Sequence, residues 1–207
     1  MYPFNVNTSI SRDGEINLSL PITQSYAECS FGKESNTMIA VTVDHASRDL
    51  TFNNTCGFLV VKLYGEGKVK SIKLEGNNGE KISGAAKVSP EFGDKPFVQM
   101  CDNATTSITL DCGTGVQLGT TPETATEFWF CVPPTEFSRG FKITVANAFG
   151  WGMVKTTLKG KTIERNVVNS MSALEVVFDT RIYNNEIFTD EVFKSYCLDH
   201  FDTDHDG

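Results

Sequence analysis

At 207 residues, 40% apolar and 21% charged, the chain has the make-up of an ordinary globular protein, long enough for one large domain or two small ones. Its 26 acidic residues against 18 basic ones give a formal net charge of -8. That balance excludes a protein that tracks nucleic-acid phosphates, because no Lys/Arg cluster stands out in the sequence to displace counterions.

No run approaches the roughly 20 apolar residues of a membrane-spanning helix. The opening "MYPFNVNTSI" has neither the basic start nor the apolar stretch of a secretion signal. No lipid-attachment cysteine motif is read in the chain. Fifteen phenylalanines and 17 glycines, with many Thr and Val, lean towards strands and turns.

In chain order, short apolar runs recur every eight to twelve residues between turn residues, the pattern of an antiparallel sandwich or barrel. "SRDGEINLSLP" turns at Asp-Gly into alternating Ile16, Leu18 and Leu20. In "CGFLVVKLYG", Leu59, Val61 and Leu63 share one face. Ile72 and Leu74 alternate up to "GNNG" at 76–79, whose residues suit positive φ, so a tight hairpin returning at Ile82 is expected. Val98 and Met100, then Ile108, Leu110 and Cys112, then Phe128, Phe130 and Val132 continue the period. Pro133 and Pro134 interrupt it, as residues that cannot donate to a ladder. Phe141, Ile143 and Val145 then alternate with Lys142, Thr144 and Ala146, predicting one buried and one wet face. "ALEVVFD" is the last expected strand, and no long helix is expected before residue 180.

From Asp179 the character changes. "TDEVFKSYCLDHF" offers Thr189 as N-cap, acids in the first turn, and Phe193, Cys197, Leu198 and Phe201 on one face of a helix. It runs straight into "DTDHDG", with Asp202, Asp204 and Asp206 alternating and Gly207 in sixth place. These match positions 1, 3, 5 and 6 of an EF-hand calcium loop, whose position 12 supplies a bidentate carboxylate. The bland reading is a solvated acidic tail, and the helix and spacing favour the loop. With six of its twelve positions, weak or no calcium occupancy is expected.

Other chemistry is thin. His45 lies between strands with no nucleophile elbow beside it, so a surface histidine is the better reading than a catalytic one. Glu123, Glu127 and Glu136 sit near turns, and a glycosidase pair would need two of them across a cleft. "CGTGVQLG" is followed by strand-like sequence, so it is no phosphate cradle. The six cysteines lack metal spacing and are read mainly as buried thiols. Cys101 and Cys112 flank an expected hairpin without facing each other. Trp129 and Trp151 are candidate sugar platforms, with core or edge packing the default. Lys70, Lys73 and Lys142 are read as guards against edge pairing.

"CGFLVVKLYG", "VKSIKLEGNNGEKISGAAKV", "SITLDCGTGVQL", "FWFCVPPTEFSRGFKITV" and "KTIERN" resemble, in this order, segments of the fimbrillin-like surface proteins related to type V pilins of Gram-negative anaerobes. The resemblance covers about residues 15 to 176. It implies a transthyretin-like β-sandwich, an outer-membrane lipoprotein parent, and a non-enzymatic fimbrial, adhesin or display role with a protein or surface ligand as partner. On it, residues 1–48 are expected to close an incomplete N-terminal β domain and 49–178 to form a sandwich. Residues 179–207 carry linker, helix and half loop. A carbohydrate-binding module is the alternative.

Overall fold

The computed structural model describes residues 8–12, 14–40, 46, 49–89 and 96–182. The expected helix before Phe201, the aspartates 202, 204 and 206, His45 and Cys197 lie outside them. Along the chain come β1 (Ser9–Ile10), β2 (Ile16–Leu20), β3 (Thr23–Ala27), β4 (Ser30–Phe31) and β5 (Met38–Ile39). Next are β6 (Asn53–Asn54), β7 (Gly57–Gly65), β8 (Lys68–Gly76), β9 (Gly84–Ser89), β10 (Phe97–Met100) and β11 (Ser107–Gln117). The series closes with β12 (Thr126–Val132), β13 (Thr135–Phe137), β14 (Phe141–Ala146), β15 (Trp151–Thr157), β16 (Lys161–Ile163), β17 (Val168–Ser170), β18 (Leu174–Val176) and β19 (Thr180–Arg181). The one helical element among the described residues is a 3-10 turn at Pro122–Thr124.

These strands form an all-β sandwich. The largest sheet has seven strands in the order β19-β15-β14-β8-β11-β3-β4. A second runs β12-β7-β17, with β18 also beside β7, and a third runs β1-β2-β9-β10. Pairing is mostly antiparallel, with three parallel exceptions: β3 with β11, and β17 and β18 with β7.

Alternation decides which side of each strand is dry. Ile72 and Leu74 of β8, Ile108 and Leu110 of β11, and Ile143 and Val145 of β14 meet Leu59, Val61, Leu63, Phe128 and Phe130 of the β7-β12 sheet in one core. The other face of that sheet, with Phe58 and Cys131, packs with Ile16, Leu18, Ala86 and Val88 of the third sheet. The β7-β12 sheet is therefore a middle layer covered on both sides. This explains "FLVV": a strand buried on both faces reads as a continuous apolar run, and Val60, on the face away from Leu59, is only 2% exposed.

Strands before residue 48 share sheets with strands after 49, since β2 pairs β9 and β3 pairs β11. The expected hairpin at "GNNG" does not form. Gly79 has the positive φ of 73° that the turn chemistry asks for. Both edges of β8 are nevertheless taken by β11 and β14, so the chain crosses to β9 in the third sheet. Likewise β10 pairs β9 and not β11, and Cys101 and Cys112 are free thiols. Local turn residues set a bend but do not choose the next partner.

Candidate functional site

The residues singled out for chemistry do not converge. Glu127 is held by Lys62 at 3.1 Å and accepts a hydrogen bond from the Trp129 indole N–H at 3.1 Å. Glu136 sits on β13 and Glu123 in the 3-10 turn. Among the described residues no group of three or more His, Cys, Asp or Glu side chains could hold a metal ion. Neither tryptophan is a bare platform: Trp129 packs against the second core, and the Arg181 guanidinium lies 4.0 Å from the Trp151 ring centre.

The expected role of Lys70, Lys73 and Lys142 needs correcting. They stand on β8 and β14, strands with neighbours on both sides, and each is paired with an acid. Lys70 lies 3.6 Å from Asp111, while Lys73 and Lys142 reach Glu75 at 3.1 and 3.2 Å. Burial alone would raise the Glu75 carboxyl, but hydrogen bonds from Lys73 and Lys142 outweigh it and hold the group below its ordinary value.

Lys155 does stand on an exposed edge. Beyond its contact with β19 at Trp151 and Gly152, β15 has among the described residues a strand neighbour only in β14. Lys155 faces Ile143 across that pairing, and directly opposed residues lie on one side of a sheet. Ile143 belongs to the core, so Lys155 points inward. The β12-β7-β17 sheet has fewer strands than the seven-stranded one, and among the described residues it ends short of Lys155. The mismatch leaves a groove of about 950 Å³ between β15 and the β17–β18 edge.

Leu59, Phe141 and Ile143 form the floor of this groove, and Lys155, Lys159 and Lys161 line it beside Thr157, Asn169 and Ser172. None of its lining residues is acidic. These three lysines form no ion pair with the described acids, unlike Lys62, Lys70, Lys73, Lys81, Lys87 and Lys142. A basic cluster thus exists in a chain whose sequence suggested none. Its signal was "VKTTLKGK", three lysines within seven residues and no acid before Glu164. A second, smaller hollow of about 410 Å³ lies beside the Lys70–Asp111 pair and Asn147.

The cysteines carry no reactive centre in the core. Burial pushes the Cys56 and Cys112 thiols up to about 12, and burial with the nearby Cys56 raises Cys131 further. Cys29 alone of the described thiols is exposed.

No family model and no curated protein matches the chain. A solved structure of a proposed cell adhesion protein from Bacteroides ovatus ATCC 8483 is similar over 89% of this chain and 74% of that one, with a TM-score of 0.37 and 11% identity. So distant a likeness carries neither fold nor function from one chain to the other. No helix among the described residues is long and apolar enough to cross a membrane.

Proposed function

We propose that this chain is a non-enzymatic adhesion or display component of a cell surface, of the fimbrillin-like kind that its ordered segments resemble. The observation that supports the reading is the groove between β15 and the β17–β18 edge: open, rimmed by lysines with no ion-pair partner among the described residues, and lined by no described acid, histidine or cysteine to do chemistry. Such a surface recognises and holds. The sandwich is a rigid support that presents it.

Two measurements test this. Antibody against the chain should label intact cells expressing its gene, and ligand recovered after binding should be chemically unchanged. Labelling confined to lysed cells, or turnover of the bound ligand, overturns it.

In a longer chain that supplies a carboxylate at loop position 12, Asp202, Asp204 and Asp206 would hold calcium. Titration calorimetry should give heat with a version extended by about ten residues and little with residues 1–207 alone. Equal, tight binding by both removes the half-loop reading.

A further inference from the structure

We infer that the lysine-rimmed groove binds an acidic oligosaccharide, one bearing carboxylate or sulfate groups along an extended chain. The inference rests on the adhesion reading above and names its partner.

Charge comes first. Lys155, Lys159 and Lys161 line one groove, no acid lines it with them, and they have no ion-pair partner among the described residues. The chain is acidic overall, but at physiological salt the screening length is about 8 Å. A ligand inside the groove therefore feels the lysines that line it more than carboxylates beyond that length. Lysine ammonium groups on flexible stems suit anions spread along a polymer better than a single bidentate partner.

The other lining groups select among anions. Thr157, Ser172 and Asn169 bring hydroxyls and an amide, which match sugar hydroxyls as both donors and acceptors. A neutral sugar would want an aromatic face to stack on. Among the described residues that line the groove the one aromatic is Phe141, and it is 4% exposed. Recognition therefore falls to charge and hydroxyls. An acidic peptide is the competing occupant, and two features disfavour it. Strand addition needs an unobstructed edge and pockets for alternate side chains. Here Lys155 projects inward from that edge, a known obstacle to pairing, and the floor residues Leu59 and Ile143 are almost wholly buried.

The edge-protection role of Lys155 is the plainer alternative, and it explains one lysine. Lys159 and Lys161 lie beyond β15, on the connection to β16 and its first residue, and share the same groove.

Isothermal titration of the 207-residue chain with a galacturonate octamer and a heparin octasaccharide, beside a neutral malto-octaose and a glutamate octapeptide, decides between these. One or both acidic sugars should bind, the neutral sugar should not, and the peptide should bind at least tenfold more weakly. The triple variant Lys155→Gln/Lys159→Gln/Lys161→Gln should lower the acidic-sugar affinity by roughly tenfold or more, as expected for three lost ion contacts. Lys33→Gln/Lys68→Gln, two lysines outside the groove, should leave it unchanged. No binding of either acidic sugar, binding that survives the triple variant, or equal binding of the glutamate peptide overturns the inference. A chain that labels cell surfaces yet binds no acidic sugar leaves the adhesion reading standing and removes this one.

Discussion

The Gln24 side chain clasps the backbone of Cys131. Its amide N–H donates to the Cys131 carbonyl at 2.7 Å, and its carbonyl oxygen accepts from the Cys131 N–H at 2.9 Å. β12 is the outer strand of the middle sheet, with β7 on one side only. Gln24 on β3 thus fills, with one side chain, the place of a missing neighbour at Cys131. At 3% exposure it is sealed from water, so no solvent molecule can take over the task.

Gln24→Met keeps the length and most of the volume but removes both hydrogen bonds. Two buried backbone groups would lose their partners, at about 1–3 kcal/mol each. A loss of about 2–6 kcal/mol in urea unfolding is expected. Gln24→Glu should be pH-dependent. The introduced carboxyl needs its proton to donate to the Cys131 carbonyl, so its folded pKa is raised. Stability is then highest below the unfolded carboxyl value of about 4.3 and falls as pH rises through the folded value. A pH-independent Gln24→Glu variant would show that the clasp contributes little.

Val60 and Val61 are neighbours on β7 with opposite outlooks, and both are buried. Val61 belongs to the core shared with the seven-stranded sheet, and Val60 lies on the face turned towards the third sheet. Val60→Ser and Val61→Ser should each cost about 2–4 kcal/mol, from lost apolar burial and a buried hydroxyl. A two-layer sandwich would tolerate Val60→Ser. Near-neutral unfolding midpoints for that variant would remove the third layer.

How much of this was written in the sequence differs from strand to strand. Phe141, Ile143 and Val145 were legible because β14 has one dry and one wet face, and period two then marks the dry one. In β7 the same reading found Leu59, Val61 and Leu63 and missed that Phe58 and Val60 face a second core, since a doubly buried run loses its period. The "GNNG" bend was legible and its topology was not: positive φ at Gly79 is local, whereas the occupation of both edges of β8 depends on strands tens of residues away. The groove was least legible. It arises from the unequal widths of two sheets, and nothing within "VKTTLKGK" says that Lys155 will face inward with no described strand opposite.

Glu75 links acid stability to the outer face of the seven-stranded sheet. Lys73 and Lys142 hold its folded carboxyl below the unfolded value, so its contribution is present above about pH 4.3 and disappears as pH falls through the folded value. Because the group is partly solvated, the effect should stay below about 1 kcal/mol. Glu75→Gln should be less stable than the parent at pH 7, and the two should converge in strong acid. A gap that widens on acidification would reverse the sign and refute the arrangement.

The thiols give a test of packing that needs no substitution. Cys56, Cys112 and Cys131 are buried and hold their protons well above neutral pH, so at pH 8 they offer neither thiolate nor access. Cys29 is exposed on the turn between β3 and β4. Maleimide labelling of the native chain, located by peptide mass spectrometry, should mark Cys29 within minutes. The three core cysteines should label only at the rate of global unfolding and all together in urea. Early labelling of Cys56 or Cys131 in native buffer would mean that the third sheet opens away from β7 independently of the main core, and the middle layer would then be covered on one side only for part of the time.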